Sequence, residues 1–130
     1  MKALTREWLE YAEHDLYAAK LLVESHRPPF EVIAYHCQQS AEKSIKALLI
    51  EHGEPLPRTH DMGVLCQLVT DFYDGFADYL EDCDRLTPYG VITRYPGSPL
   101  SIGEDHVTQA LRTAEKIQEL VNTYLSESSA

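Results

Sequence analysis

The sequence predicts an all-α protein, an antiparallel up-and-down bundle of four to five helices. Three observations carry this. Apolar residues recur every three or four positions through most of the 130 residues, the spacing that lines one side of a helix. Period-two alternation of the kind that marks half-buried strands is weak. Prolines and glycines fall largely between the periodic stretches, as in Pro28-Pro29, Gly53-Glu-Pro55 and the segment from Pro88 to Pro99, where they punctuate helices.

The first helix is expected to begin at Thr5, whose hydroxyl can cap the free amides of a first turn. Trp8, Ala12, Leu16, Ala19 and Val23 form its inner stripe, and it should end near Ser25, before Pro28-Pro29. The second helix runs from about Phe30 to His52, with Gly53 as a left-handed cap and Pro55 just beyond. Its core face is Phe30, Ile33, Cys37, Ser40, Ala41, Ser44, Ile45 and Leu48, small in the middle so that a neighbouring helix can come close. Asp61 can cap a short third helix packed through Met62, Leu65, Leu68, Val69 and Phe72. Gly75 breaks it, and a fourth helix follows with Phe76, Tyr79, Leu80 and Cys83 inward. Thr87 to Ser101 reads as a long loop, of a length usually kept for a purpose. Ser101-Ile-Gly-Glu104 has capping-box spacing and starts the last helix, striped by Val107, Ala110, Leu111, Ala114, Ile117, Val121 and Tyr124. The tail from Ser126 to Ala130 should fray.

A chain of this length is expected to form one domain over residues 1–130, large enough to bury a core without disulfides. No apolar run approaches the ~18 residues a membrane span needs, and the start of the chain lacks the apolar stretch of a signal peptide. Cys37, Cys66 and Cys83 are odd in number and without paired spacing, which points away from a disulfide framework or zinc site and toward a reducing cytoplasm. The formal net charge is −10, from 21 acids against 11 bases. Such a field repels phosphate backbones, so non-specific nucleic-acid binding is disfavoured and any anionic ligand must be held by a local group of bases.

One stretch carries more polar chemistry than packing demands. His36, Gln39, Lys43 and Lys46 lie on neighbouring turns of the second helix, where an imidazole, an amide and two ammonium groups could hold phosphate oxygens and a base edge. The same residues would serve as a homodimer seam, or as a solvated flank with Glu42 and Lys46 pairing at four-residue spacing. Asp15, at the edge of the first helix's apolar sector, needs a cationic partner, and Lys43 or Lys46 is the natural one. A structural Asp15–Lys43 ion pair is the expectation. Arg58, His60 and Asp61 stand at a helix start, where they could meet an anion or tie the loop to the bundle. Arg94 and Tyr95 in the long loop could clamp a ligand or bridge to the fourth helix.

Asp71, Asp74, Asp78, Glu81, Asp82 and Asp84 form an acidic run in which Asp74, Asp78 and Asp82 make a stripe. A solvated face or a docking surface for a basic protein fits it better than a metal site. No phosphate-binding glycine loop, zinc-protease helix or nucleophile elbow occurs, so no catalytic residue, cofactor or metal is assigned.

An ordered set of these fragments resembles the HEPN domain family (higher eukaryotes and prokaryotes nucleotide-binding). The fragments are Ala12-x-x-Asp15-Leu16-x-x-Ala19, then His36-x-x-Gln39-x-x-Glu42-Lys43-x-x-Lys46-Ala47-Leu48-Leu49, then Arg58-Thr59-His60-Asp61, then Arg94-Tyr95-Pro96. The resemblance implies a small helical bundle similar to the substrate-binding domain of aminoglycoside nucleotidyltransferases. It further implies a homodimer with a groove between protomers and partnership with a minimal nucleotidyltransferase, in toxin–antitoxin-like systems or as a substrate-binding subunit. A large branch of that family cleaves RNA through an arginine followed after four to six residues by a histidine. Arg6, Arg27, Arg58, Arg85, Arg94 and Arg112 all lack a histidine at that distance. The expectation is therefore a non-catalytic nucleotide- or substrate-binding homodimer, with His36, Gln39, Lys43, Lys46, Arg58, His60, Arg94 and Tyr95 around its ligand. The alternatives are a toxin ribonuclease with a divergent site and a protein-interaction module with an acidic docking helix.

Overall fold

The protein is represented by a computed structural model, which describes residues 1–90, Pro96 and residues 101–128. Five α-helices stand in the described residues: α1 Ala3–Val23, α2 Phe30–His52, α3 Met62–Thr70, α4 Leu80–Leu86 and α5 Glu104–Ser128. Two 3-10 helices, Asp74–Tyr79 and Thr87–Gly90, lead into and out of α4. No strand occurs among the described residues, so the all-α expectation holds.

Helix α2 is the axis of the molecule. Fourteen of its residues are buried, more than one apolar stripe accounts for, because α1, α5 and the α3–α4 region pack around it. Helix α1 runs antiparallel to it: Lys2 and Thr5 meet Glu51, Ala12 meets Ser40, and Asp15 meets His36. The small Ala12 and Ser40 let the backbones close in until the Ser40 hydroxyl donates to the Ala12 carbonyl at 2.8 Å. Gly53 ends α2 at φ 88°, a left-handed cap that only glycine adopts without a Cβ penalty. Helices α3 and α4 form a short hairpin closed by the Met62 amide, which donates to Thr87 Oγ1 at 3.0 Å. Inside it Cys66 Sγ donates to the Phe76 carbonyl at 3.4 Å, with Cys83 nearby. All three cysteines are free and buried.

Several local expectations are corrected. Thr5 is not the cap of α1, since the helix already begins at Ala3. Its side chain is wholly buried and donates instead to Glu51 Oε1 at 2.9 Å, tying the start of α1 to the end of α2. Leu68 and Phe72 point outward, and the Phe72 ring lies on His52 at 4.0 Å between centroids. The stretch after Gly75 is 3-10 before it is α-helical. Side chains eclipse every three residues there, so Asp74, Asp78 and Asp82 do not form a continuous stripe. Helix α5 starts at Glu104, three residues beyond Ser101, and the Gly103 amide donates to His106 Nδ1 at 3.0 Å. Its far end continues to Ser128.

Candidate functional site

Two polar assemblies grow from α2. The first bridges to α1. Asp15 Oδ2 lies 2.6 Å from Lys43 Nζ, and Asp15 Oδ1 lies 2.8 Å from His36 Nδ1. Asp15 is thus held by two donors one helix away. Lys43 also stands 5.8 Å from the centre of the Tyr11 ring, where a cation gains from the ring's negative face.

The second assembly is more buried. Glu42 is 4% exposed and Lys46 7% exposed, so their four-residue pairing, 3.1 Å between Nζ and Oε2, is no solvated surface pair. Trp8 covers the outer side of Lys46, with the ammonium 6.0 Å from its ring centre. Gln38 is fully buried and donates through Nε2 to Glu42 Oε1 at 2.9 Å, while its own Oε1 accepts from Gln39 Nε2 at 2.7 Å. His60, arriving on the loop before α3, places Nδ1 3.1 Å from each Glu42 oxygen. A ring nitrogen facing two carboxylate oxygens must carry a proton to bond either, and this leaves Nε2 free of them. The His60 side chain is 73% exposed. It lies over a carboxylate that is itself almost out of water.

Gln38, Gln39, Glu42 and His60 line a cleft of about 340 Å³ with Asp61, Thr87, Pro88 and Gly90. The Thr87–Gly90 turn forms the far wall and fits closely. A Cβ at Gly90 would stand 3.1 Å from Gln38 Cδ and Oε1, so the bare backbone there is what lets the amide lie flat. Asp61 caps α3 by accepting from the Val64 amide at 3.1 Å.

Gln39 and His60 therefore share one cleft with Lys46 behind it, whereas His36 and Lys43 belong to the α1 bridge. Arg58 is exposed. Arg94 and Tyr95 lie outside the described residues. Sequence reasoning missed Gln38 and Glu42 as site residues. Their signal was present in the placement of an amide and a carboxylate four apart on a helix otherwise rich in buried apolar positions.

The cleft offers hydrogen-bonding groups from Gln38, Gln39, Glu42 and His60. Burial, reinforced by Glu115, pushes the Cys37 thiol up to about 12, so it stays protonated and inert. Both α2 lysines are engaged by carboxylates, and among the described residues no group of three or more His, Cys, Asp and Glu gathers for a metal ion. No helix among them is long and apolar enough to cross a membrane.

Comparison with known proteins places this geometry in context. The family model described as the HEPN domain matches residues 5–124. A protein from Methanocaldococcus jannaschii named putative toxin MJ1304 is 27% identical over 134 residues, covering 92% of this chain and 87% of that protein. Among solved structures, TT1696 from Thermus thermophilus superposes with a TM-score of 0.81 at 26% identity, covering 92% of this chain and 96% of its own. The archaeal HEPN homologue ST0689 gives a TM-score of 0.74, also at 26% identity, covering 95% and 98%.

Proposed function

The chain belongs to the HEPN domain family, and on that premise we propose that it is a non-catalytic binding domain that holds a nucleotide or related small phosphate ligand in the Gln38–Glu42–His60 cleft. One observation carries the reading. A buried carboxylate and a buried amide, held rigidly by neighbours, form the floor of an open cleft of about 340 Å³. Polar groups taken out of water at that cost belong to a recognition surface more readily than to a core. The described residues of the cleft include no activated nucleophile, and the arginine–histidine spacing of the family's ribonucleases does not occur in the sequence. With a net charge of −10, a long nucleic acid is repelled more strongly than a single nucleotide.

In this reading the domain acts as a homodimer and partners a minimal nucleotidyltransferase in a toxin–antitoxin-like system. The α1–α2 face bearing Leu4, Trp8 and Tyr11 beside Lys43 supports the dimer. Isothermal titration with ATP and GTP tests the binding: heat at millimolar ligand is expected, and none would remove the proposal. Light scattering tests the dimer. A neighbouring open reading frame encoding a minimal nucleotidyltransferase is the expected genomic context.

A second reading has one observation in its favour. His60 is oriented by a carboxylate and presents Nε2 outward, an arrangement suited to general acid–base chemistry, and a relative bears the name putative toxin. If the protein is a ribonuclease with a divergent site, expression of wild type slows growth and His60→Ala restores it. Equal growth of both strains rejects this.

A further inference from the structure

We infer that the ligand seat of the cleft is the Glu42 carboxylate, that His60 occupies this seat in the free protein, and that the group displacing it is the paired N–H edge of a guanine base. This rests on the nucleotide-binding reading above and narrows it.

The acceptor positions of Glu42 decide what it can hold. An ionised carboxylate offers about four, two on each oxygen. At Glu42 one position on Oε1 is taken from inside by Gln38 Nε2 at 2.9 Å, and one on Oε2 by Lys46 Nζ at 3.1 Å. Both inner donors are themselves buried. Two positions remain, one on each oxygen, side by side and facing the cleft. A single nitrogen, His60 Nδ1, straddles them at 3.1 Å from each. One proton shared between two oxygens makes a poorer bond than two protons each aimed at its own oxygen, and bidentate pairing to a carboxylate is among the stronger hydrogen-bond arrangements. The seat therefore fits two adjacent N–H donors better than the imidazole it now holds.

Three further features point the same way. His60 sits on a loop with its side chain 73% exposed, so it can swing aside without disturbing the core. Glu42 cannot follow it, being locked by Gln38, which is in turn pressed against Gly90 and held by Gln39. The seat is preorganised and its cover is loose. Around it the open valences suit the rest of a base: the Gln39 amide, half-buried at the cleft edge, gives one Nε2 hydrogen to Gln38 and has a second for a carbonyl beside the N–H pair. Among the bases, guanine alone carries a ring N–H next to an exocyclic amine with a carbonyl alongside. Adenine offers an acceptor where the ring N–H would be needed, and hypoxanthine lacks the amine. Among the described residues no free cation stands at the carboxylate for a phosphate to meet, because Lys46 is paired to the same group. The cleft reads the base, and the phosphates extend outward.

The test is titration calorimetry of wild type and His60→Ala with guanosine, inosine, adenosine, guanosine monophosphate and agmatine. The proposal expects guanosine to bind at least about tenfold more tightly than inosine or adenosine, since a site built for a hydrogen bond rejects the ligand lacking it. It expects the monophosphate to match guanosine within about threefold, and His60→Ala to tighten guanosine several-fold by removing the competitor. Guanosine binding no better than inosine or adenosine overturns it, as does weakening by His60→Ala. Binding of the monophosphate with guanosine silent overturns the base-edge assignment and leaves the nucleotide reading standing. Agmatine binding with guanosine silent shows that the seat takes a guanidinium instead, and also overturns it. No binding by any nucleoside or nucleotide to either protein removes both readings.

Discussion

Asp15 of α1 stands 2.6 Å from Lys43 of α2, and its other oxygen holds His36 at 2.8 Å. Together with the Ser40–Ala12 and Thr5–Glu51 hydrogen bonds, this carboxylate clasps α1 to α2. Asp15→Ala removes the acceptor and leaves a half-buried ammonium and imidazole without it. We expect a loss of about 2 kcal/mol in urea unfolding, with Asp15→Asn retaining part of it. An unchanged midpoint would mean that Lys43 and His36 find water at no cost.

Gly90→Ala places a methyl group 3.1 Å from the Gln38 amide, which is buried and has little room to yield. Overpacking of this kind costs about 1–2 kcal/mol. It also shifts Gln38 relative to Glu42, so nucleotide affinity should fall by more than the stability change alone explains. Circular dichroism and calorimetry on the same variant separate the two effects.

The Glu51 carboxyl is held below its ordinary value of 4.5, chiefly by the Lys2 amide, which donates to Oε1 at 2.9 Å, with the Thr5 hydroxyl, the terminal ammonium and Lys2 adding to it against the opposing effect of burial. Its stabilisation is complete above the unfolded-state value and is lost as pH falls through the lower folded-state one. Glu51→Gln should therefore flatten the acid limb of a stability–pH profile while leaving the slope at neutral pH unchanged. An acid limb identical to wild type would contradict this.

The Cys37 thiol behaves oppositely. Burial and the nearby Glu115 raise it from 9.0 to about 12. The unfolded chain loses this proton first, so the native state is the more protonated one between those values and stability falls as pH rises through the window. Cys37→Ala should reduce that slope. At pH 8 the three thiols should react with Ellman's reagent only as fast as the protein opens.

Much of the fold was legible because helix packing writes itself into spacing: the stripes of α1 and α5, the Gly53 cap and the Asp61 cap all rest on local chemistry. What was not legible depended on partners distant in sequence. Thr5 has the character of a helix cap, yet Glu51 claims its hydroxyl from 46 residues away. The 3-10 turn at Asp74–Tyr79 is anchored by the Gly75 amide donating to the Tyr124 hydroxyl at 3.0 Å, a contact no local pattern announces. The site was half readable. Gln39 and His60 stood out as polar groups, but Lys46 looked like a free cation because its pairing with Glu42 has the spacing of an ordinary surface pair. The Thr87–Gly90 turn across the cleft from Glu42, and Trp8 against Lys46, take that pair out of water and leave Glu42 on the floor of a cleft.

The central claim is that Gln38, Gln39, Glu42 and His60 form one ligand site. Side-chain amide resonances of the glutamines, followed by two-dimensional ¹H–¹⁵N NMR during titration with GTP, test it most directly. The account predicts saturable shifts at Gln38 and Gln39 together with the His60 ring, and little movement of Gln118 on α5. Saturable shifts elsewhere with these groups still, or no shift at millimolar nucleotide, would contradict it.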